Sequence, residues 1–449
     1  MIVISYLIII IHTFLSCRNL RYGLVCFMAV RVLVPEIVRS PIASLSLNSF
    51  LIVVLAFLTA MKGQLNINQI CKDRFGKFLL LFMGIFLFML PFSEFINISA
   101  QVSAWMQFLL TDVMPALLAI CIIKTKKDLD VLLKCCIYTM FIVVCYGLLT
   151  FVINSNPWND YVESYFPRYS VYGTNFEAFD YTLQTRCTKS TFASFNCFGY
   201  YLTYIFTFVL MLKNKLHKSF FLLSSALIIA NMLFSTKRSP IVVLMFIILF
   251  LTWHKRNWIL PIISLIVIFF IALFTIPALS FVRDFFMTAI FFWDDSYAAS
   301  LDIGGSNMEL RIRQVLYPFI EIKNNPIFGH GFGWCSTYLE IHKDIHPILF
   351  GFETIFATVI CEGGLLGIVL YSLLFINAYK YIQDDVIDTE INFALLFVLS
   401  ILLLYIATGI QYMYFFFILL VILHKSTCLY NYQNKKTYDA ANINYCSRI

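Results

Sequence analysis

The chain of 449 residues is 61% hydrophobic and 17% aromatic, and only 13% of its residues are charged. A soluble globular protein has about 45–50% apolar and about 25% charged residues, so this composition excludes a water-soluble fold. The formal net charge of +7 comes from basic residues in short clusters between long apolar runs. Such clusters are typical of the short loops of a multi-pass membrane protein and do not indicate a nucleic-acid-binding surface.

Apolar runs long enough to cross a lipid bilayer recur along most of the chain. A crossing needs about 20 mostly apolar residues, and somewhat shorter runs are tolerated. The sequence therefore predicts an all-α polytopic membrane protein with about 12–13 transmembrane helices. One predicted span contains Arg31, which is costly at the membrane centre unless it is paired or reaches the interface. The predicted spans are about 2–17, 22–38, 46–61, 78–93, 104–123, 135–153, 194–212, 219–235, 239–253, 258–277, 361–380, 391–408 and 410–424.

Lysine and arginine residues gather in short clusters between the predicted spans. All of these clusters lie on one side of an alternating topology, and excess Lys and Arg in short loops marks the cytoplasmic side. We therefore predict that this side and the C-terminal tail are cytoplasmic. Two long segments, about 154–193 and 278–360, then face the outside. The clusters are Arg18/Arg21, Lys62/Lys72/Arg74/Lys77, Lys124/Lys126/Lys127/Lys134, Lys213/Lys215/Lys218, Lys255/Arg256, Lys380 and the tail Lys425/Lys435/Lys436/Arg448.

The two large external loops do not have the low-complexity composition of disorder. Long loops in compact proteins are uncommon unless they are functional or disordered, so both segments are candidates for function. Segment 154–193 is rich in Trp, Tyr and Phe. Segment 307–323 has the pattern of an amphipathic helix, which Pro318 is expected to kink. One face of that helix holds Ile312, Val315, Leu316, Phe319 and Ile322.

Basic residues on the predicted external side are candidates for an anion site. The planar guanidinium group of arginine matches two phosphate oxygens, so arginines that converge at the membrane interface favour a diphosphate or another polyanion. The alternative is ordinary surface charge or contact with anionic lipids. The candidate residues are Arg186, Lys237, Arg238, Arg311 and Arg313.

A glycine-rich turn follows the predicted amphipathic helix. The run Asn324–Gly333 contains alternating glycines, Gly329 among them, that permit positive φ and close backbone approach. It is either a binding loop or a simple reversal of the chain. His330 and His346 are candidates for a glycan-binding or base role, with solvated loop histidines as the alternative. No carboxylate lies at metal-ligand spacing around them, so the sequence predicts no metal site.

Two glutamates lie near the membrane boundary that follows this turn. Glu353 lies in an otherwise apolar stretch, where an ionisable group is costly unless it pairs with an arginine or acts on substrate. Glu362 precedes two glycines and is better explained as a carboxylate at a helix start, where the helix dipole favours it. Glu353 is therefore a candidate functional residue.

Four motifs follow one another along the chain. They are Arg186–Phe192 before one helix, Ser235–Pro240 at the start of another, Arg311 ahead of the turn Asn325–Gly331, and Glu362–Gly367. Their order resembles the O-antigen polymerase family, within the O-antigen ligase and polymerase superfamily of bacterial membrane glycosyltransferases. The resemblance covers about 135–380, and the segment before it shares only its many helices.

The resemblance implies a GT-C-like enzyme of the bacterial inner membrane that needs no cofactor, metal or nucleotide sugar. It would polymerise repeat units of O-antigen or capsule on the external face, and Arg186, Arg238 and Arg311 would hold the diphosphate. On this resemblance Glu353 and Arg311 are the predicted catalytic residues. Its donor and acceptor would be undecaprenyl-diphosphate-linked glycans, and membrane lipids and a chain-length regulator protein would be further partners, with no nucleic acid. The implied organisation is N-terminal helices in 1–134, a catalytic-like core in 135–380, and C-terminal helices with a cytoplasmic tail in 381–449.

The sequence departs from the ligase pattern at one position. Ligases carry a His–Asn pair about nine residues ahead of the glutamate in their E-x-G motif, and here Glu353 and Thr354 stand there. The departure favours polymerase over ligase, with Glu353 as base or acceptor-orienting residue and His346 as the alternative if the segment is offset. A ligase that transfers finished glycan to lipid A core or protein is one alternative function. A transporter of lipid-linked glycans, with its charges around a midplane cavity, is another.

Overall fold

The computed structural model places most of the chain in α-helices. The described residues are 1–42, 45–93, 98–166, 179–180, 185–235, 237–254, 271, 274–275, 283, 287, 308–342, 346, 348–349, 351–383, 392–410 and 412–446. The helices are α1 (Ile2–Arg18), α2 (Leu20–Leu33), α3 (Leu47–Met61), α4 (Ile67–Lys72), α5 (Arg74–Met89), α6 (Ile98–Phe108), α7 (Met114–Ile122), α8 (Lys126–Ile153), α9 (Pro157–Glu163), α10 (Phe195–Met211), α11 (Lys218–Phe234), α12 (Arg238–His254), α13 (Met308–Glu321), α14 (Trp334–His342), α15 (Ile355–Gln383), α16 (Phe393–Thr408) and α17 (Met413–Cys446). Strands β1 (Phe179–Asp180) and β2 (Thr185–Arg186) form a short antiparallel pair.

Several of these helices are long and apolar enough to cross a bilayer, which indicates a multi-pass membrane protein. Among the described residues, four continuous helical segments meet that requirement, namely Arg74–Phe92, Ile98–Ile122, Lys126–Ile153 and Ile355–Gln383. The second of these joins α6 to α7 through a π-helical turn at Leu109–Val113. Shorter apolar helices accompany them, namely Ile2–Arg18, Leu47–Met61, Phe195–Met211, Lys218–Phe234, Arg238–Trp253, Phe393–Thr408 and Met413–Leu429.

The predicted helical regions are confirmed wherever the structure describes them. Every predicted span in that part of the chain coincides with a helix, and the predicted amphipathic segment 307–323 is α13, which continues through Pro318. The predicted span 22–38 is shorter than expected, because α2 ends at Leu33. The predicted span 258–277 lies largely outside the described residues.

The first half of α17 is the central helix of the bundle. Each residue from Met413 to Leu423 is at most 4% exposed. A helix that is apolar on all sides lies either in a protein core or in lipid, and here neighbouring helices cover it. Residues Ala116–Ile122 of α7, which packs beside α17, are buried to the same extent. Residues 197–210 of α10 are buried as well. The core therefore lies along α7, α10 and α17.

The predicted basic clusters meet at one end of this bundle. Lys62 Nζ donates to the Ser16 carbonyl oxygen at the end of α1. Arg21 pairs with Asp128 at 3.2 Å. The same end is completed by three further contacts, Gln69 Nε2 to the Ile120 carbonyl oxygen, the Tyr381 hydroxyl to Asp73, and Lys215 to Ser426. This gathering agrees with the prediction for the described members of the clusters, whereas Lys255, Arg256 and Arg448 lie outside the described residues.

The segments predicted to be external meet at the opposite end. Trp158 Nε1 donates to the Leu33 carbonyl oxygen at the end of α2. The Thr191 hydroxyl donates to the Val32 carbonyl oxygen. Asn325 Nδ2 donates to the carbonyl oxygen of Phe92, which ends the segment that begins with α5. The candidate site residues are found at this end.

Candidate functional site

The glycine-rich turn docks into a break in helix α15. The break lies at Gly364, which has φ +58° and ψ −150° inside an otherwise helical segment. Leu365 and Leu366 donate their N–H groups to the carbonyl oxygens of Pro326 and Ile327, at 2.9 and 3.1 Å. In the opposite direction, the N–H groups of His330 and Gly331 in the turn donate to the carbonyl oxygens of Cys361 and Glu362, at 2.8 and 3.1 Å. The backbone groups that the break releases are thereby paired, as they must be in a membrane protein.

Glycine is required on both sides of this contact. A Cβ atom on Gly329, which has φ +66°, would lie 2.6 Å from the Cys361 carbonyl oxygen. A Cβ atom on Gly364 would lie 2.6 Å from the carbonyl oxygens of Pro326 and Ile327. The predicted close backbone approach is thus confirmed, and its partner is the backbone of α15. Two motifs separated in sequence therefore form one structural unit.

Glu362 belongs to this unit and caps a different helix from its own. The sequence places it at a helix start, and in the structure it lies two residues ahead of the break at Gly364, inside the segment Ile355–Gln383. Its carboxylate accepts the N–H groups of Gly333 and Cys335 at the N-terminus of α14, the latter at 3.2 Å. Burial raises the pKa of the Cys335 thiol, and the neighbouring Cys361 thiol and Glu362 carboxylate raise it further. Cys335 therefore stays protonated and unreactive beside the carboxylate.

The two predicted histidines lie on either side of Glu321. His330 Nε2 is 3.9 Å and His346 Nε2 is 3.8 Å from the two carboxylate oxygens of Glu321. His346 Nδ1 accepts the N–H groups of Ile348 and Leu349. An acceptor Nδ1 carries no hydrogen, so Nε2 of His346 carries it. This tautomer suits His346 to donate hydrogen bonds and leaves neither ring nitrogen ready to take a proton.

Aromatic rings enclose the histidine pair. The His330 ring stacks on Trp334 with centroids 4.5 Å apart. Tyr338 and Phe352 approach the His346 ring at 5.2 and 5.7 Å. These contacts fix both imidazole rings next to the turn and the break.

The predicted basic residues are described only in part. Lys237 Nζ lies 5.7 Å from the ring centroid of Phe195 at the start of α10. Arg238 begins α12 and is half-buried, and Arg313 is exposed on α13. The backbones of Arg186 and Arg311 lie in β2 and α13, and their side chains lie outside the described part of the structure. The convergence of these cations stays a prediction.

Residues 187–194 between β2 and α10 form a buried, polar reversal of the chain, here called the hairpin, which connects the first two motifs. The Thr188 N–H donates to the Phe234 carbonyl oxygen, just ahead of Lys237, at 3.0 Å. Lys189 is only 2% exposed and pairs with Glu163 at 3.0 Å. The carbonyl oxygen of Ser190 receives the side-chain amides of Asn156 and Asn159. The segment that follows Arg186 is therefore held rigidly against the ends of α8 and α11.

A charged cluster that the sequence interpretation did not assign lies beside these motifs. Asp112 accepts the Tyr414 N–H at 2.8 Å and so caps α17. Arg31 lies over the rings of Tyr412 and Tyr414, within electrostatic range of Asp112, and the Tyr412 hydroxyl donates to Glu36. The free-energy cost of placing the charged Arg31 side chain in a predicted span is thus offset by nearby carboxylates and aromatic faces. Asp112 inside a predicted span was the sequence signal that could have revealed the cluster.

The turn between α16 and α17 connects this cluster to Glu353. The carbonyl oxygen of Gly409 accepts the Tyr200 hydroxyl, and a Cβ atom on Gly409 would lie 3.1 Å from the Phe352 carbonyl oxygen. The side chain of Glu353 is exposed. Its carboxylate is at the protein surface, at the end of the bundle where the motifs meet.

Neither a family model nor a curated protein sequence matches this chain. In the part of the chain that the structure describes, no three His, Cys, Asp or Glu side chains gather into a metal-binding group. A functional assignment therefore depends on the order of the motifs and on their geometry.

Proposed function

We propose that the protein is an integral-membrane glycosyltransferase that polymerises undecaprenyl-diphosphate-linked oligosaccharide repeat units into a surface polysaccharide. The reaction takes place at the end of the bundle opposite the basic clusters, which is the external face of the bacterial inner membrane. The product is an O-antigen or capsule chain. The proposal combines the motif resemblance with the arrangement of those motifs in space.

The observation that carries the proposal is the meeting of distant motifs at one end of the bundle. The hairpin after Arg186 bonds to the end of α11, next to Lys237 and Arg238. The turn Asn325–Gly331 bonds to the break at Gly364. The turn between α16 and α17 contacts Tyr200 of α10 and Phe352, which precedes α15. Such convergence from separate helices is typical of an active site built on a helical scaffold.

The departing group of this reaction needs positive charge. Attack on the anomeric carbon breaks its bond to the diphosphate oxygen, and the bond electrons leave with the diphosphate. Arginine forks placed at that oxygen stabilise the growing charge in the transition state. Arg186, Arg238 and Arg311 take this role, with Lys237 and Arg313 contributing charge nearby.

The attacking group needs a base. Glu353 accepts the proton of the acceptor hydroxyl as the new glycosidic bond forms. An exposed carboxylate beside an accessible membrane face is reachable by a lipid-linked acceptor. His330 and His346, with Glu321 between them, orient the glycan by donating hydrogen bonds. Both substrates are anchored in the same membrane, which supplies the proximity that the reaction requires.

Arginine variants test the proposal directly. We expect Arg186→Ala and Arg311→Ala each to lower long-chain polymer about 100-fold in a complemented deletion strain, since each removes transition-state charge stabilisation. Arg18→Ala, an exposed arginine at the opposite end, is the matched control and should leave polymer unchanged. Polymer length is read on gels, and membrane insertion by immunoblot. Wild-type polymer in both site variants would remove these arginines from the site.

A ligase is the alternative within the same superfamily. It would use the same donor and move the finished glycan to lipid A core or protein. Purified protein in liposomes with lipid-linked repeat units and no core oligosaccharide separates the two. Elongation of the repeat units supports the polymerase. Absence of elongation, with transfer of the glycan to core oligosaccharide once that is added, supports the ligase.

A transporter of lipid-linked glycans is favoured by one specific observation, the group of Arg31, Glu36 and Asp112, in which Arg31 belongs to α2 and Asp112 to the apolar segment Ile98–Ile122. Charged side chains inside a membrane bundle often mark a transport path. Transbilayer movement of a fluorescent lipid-linked glycan in proteoliposomes would support this function. A polymerase elongates its substrate without moving it across.

A further inference from the structure

Helix α13 turns an apolar face outward. The side chains of Ile312, Leu316, Phe319 and Ile320 are 46–60% exposed. They recur at the spacing of one helical face. In a soluble protein such a face packs on the core, whereas here it forms part of the protein surface.

The inward side of α13 is anchored by polar contacts. Gln314 is fully buried, and its Nε2 donates to the Leu349 carbonyl oxygen at 3.2 Å. The Thr354 hydroxyl donates to the Gln314 carbonyl oxygen, and Glu321 faces the two histidines. These contacts fix the rotation of the helix about its axis. The outward apolar face is therefore a property of the folded protein.

The exposed face continues into the outer surface of α15. α13 packs against α15, which is long and apolar enough to cross a bilayer. Ile327, in the turn between them, is also exposed, and its carbonyl oxygen accepts the Leu366 N–H. The outer side of α15 carries an exposed stripe of Leu365, Val369, Leu373 and Ile376. On a helix that crosses a bilayer, such an outward apolar stripe lies in the hydrocarbon core of the membrane.

We propose that α13 is an interfacial membrane helix whose Ile312–Ile320 face lies in the acyl chains of phospholipids. Its apolar face is continuous with that of a spanning helix, so the same bilayer covers both. Arg313 is exposed and lies beside Ile320 around the helix, so its guanidinium group extends to the lipid headgroups. The proposal depends on the orientation of α13 and is independent of the glycosyl-transfer reaction.

Fluorescence quenching in nanodiscs tests the proposal on the full-length protein. An environment-sensitive fluorescent amino acid is placed at Leu316 or Phe319, and at exposed Ser336 on α14 as the matched control. Phospholipids with a nitroxide on the acyl chain should lower emission at Leu316 and Phe319 about twofold or more, because interfacial helices bury their apolar face about 5–10 Å. Iodide in the buffer should quench only the Ser336 probe.

Two results would overturn the proposal. Quenching of the Leu316 and Phe319 probes by iodide but not by nitroxide lipids means that the face is in water. Protection from both quenchers means that a protein covers it, either a second copy or another partner. Each labelled protein must elute as a single species in detergent, so that misfolded protein is excluded from the comparison.

Discussion

Single glycines decide whether two distant motifs can join. At Gly329 and Gly364 the sequence indicates freedom of the backbone, because only glycine adopts such conformations without strain. What fills the space left by each missing side chain is a carbonyl oxygen from the other motif. The glycines of the turn and of the break are therefore two halves of one contact.

Alanine at either position is expected to separate the turn from α15. We expect Gly364→Ala to lower the free energy of unfolding by about 1–3 kcal/mol from backbone strain, with the clash against Pro326 and Ile327 adding to it. Gly84→Ala in α5 is the matched control, because nothing lies within 4 Å of the position that its new Cβ atom would take, and it should shift stability by less than about 1 kcal/mol. Thermal unfolding of the detergent-solubilised protein measures both. Equal melting temperatures for the two variants would contradict the contact.

The two glutamates of the site are expected to respond differently to the same change. Glu353→Gln removes a proton acceptor at the surface and should reduce polymer about 100-fold with unchanged stability. Glu362→Gln keeps an oxygen that accepts the Gly333 and Cys335 N–H groups, so most polymer should remain. Polymer length and melting temperature are measured together. Equal loss of polymer in both variants would rule out the distinct role of Glu353.

At the scale of elements, short polar segments hold the helix ends in place. The hairpin between β2 and α10 inserts Lys189 among buried groups, where it pairs with Glu163 of α9. A buried charge is tolerated only when a partner compensates it. The ion pair therefore fixes α9 and the hairpin relative to each other. It also fixes where the backbone of Arg186, which directly precedes the hairpin, lies in the fold.

A double-mutant cycle measures this ion pair. Lys189→Met leaves Glu163 without its partner and should cost about 3 kcal/mol of unfolding free energy. Adding Glu163→Gln removes the uncompensated charge, so the double variant should recover part of that loss. Thermal unfolding of the four proteins gives the coupling energy. Additive effects of the two substitutions would show that the pair does not stabilise the hairpin.

Across the whole molecule, the two ends of the bundle differ in their content of clustered Lys and Arg residues. Basic clusters from six separate regions meet at one end, whereas the motif segments meet at the other. The sequence interpretation places the basic end in the cytoplasm, because Lys and Arg are retained on that side during insertion. The native cysteines make this orientation measurable.

Labelling with a membrane-impermeant maleimide tests the orientation. Cys17, Cys71 and Cys428 are exposed near the basic end and should react only after the cells are permeabilised. Ser336→Cys, exposed near the motif end, should react in intact cells. Mass spectrometry of the labelled peptides identifies each site. Labelling of Cys17 and Cys71 in intact cells would reverse the orientation and place the motifs in the cytoplasm.

Composition and periodicity alone were sufficient for the membrane class, the helical regions and the grouping of the basic clusters. Each of these is a local property: about 20 apolar residues predict a span wherever the chain goes, and basic residues between spans accumulate on one side. The same local pattern predicted α13, although Ile322 of its predicted apolar face is buried and Ile320 is exposed. The order of the motifs also suggested a function, which stays a proposal.

Only the tertiary structure decided which segments meet. It paired the turn with the break in α15, placed Glu362 at the N-terminus of α14, and brought Arg31 beside Asp112. None of these contacts follows from neighbouring residues, because each joins helices far apart in the chain. The direction of the α13 face was equally undetermined, since lipid tails are as apolar as a protein core and hydrophobicity cannot distinguish them.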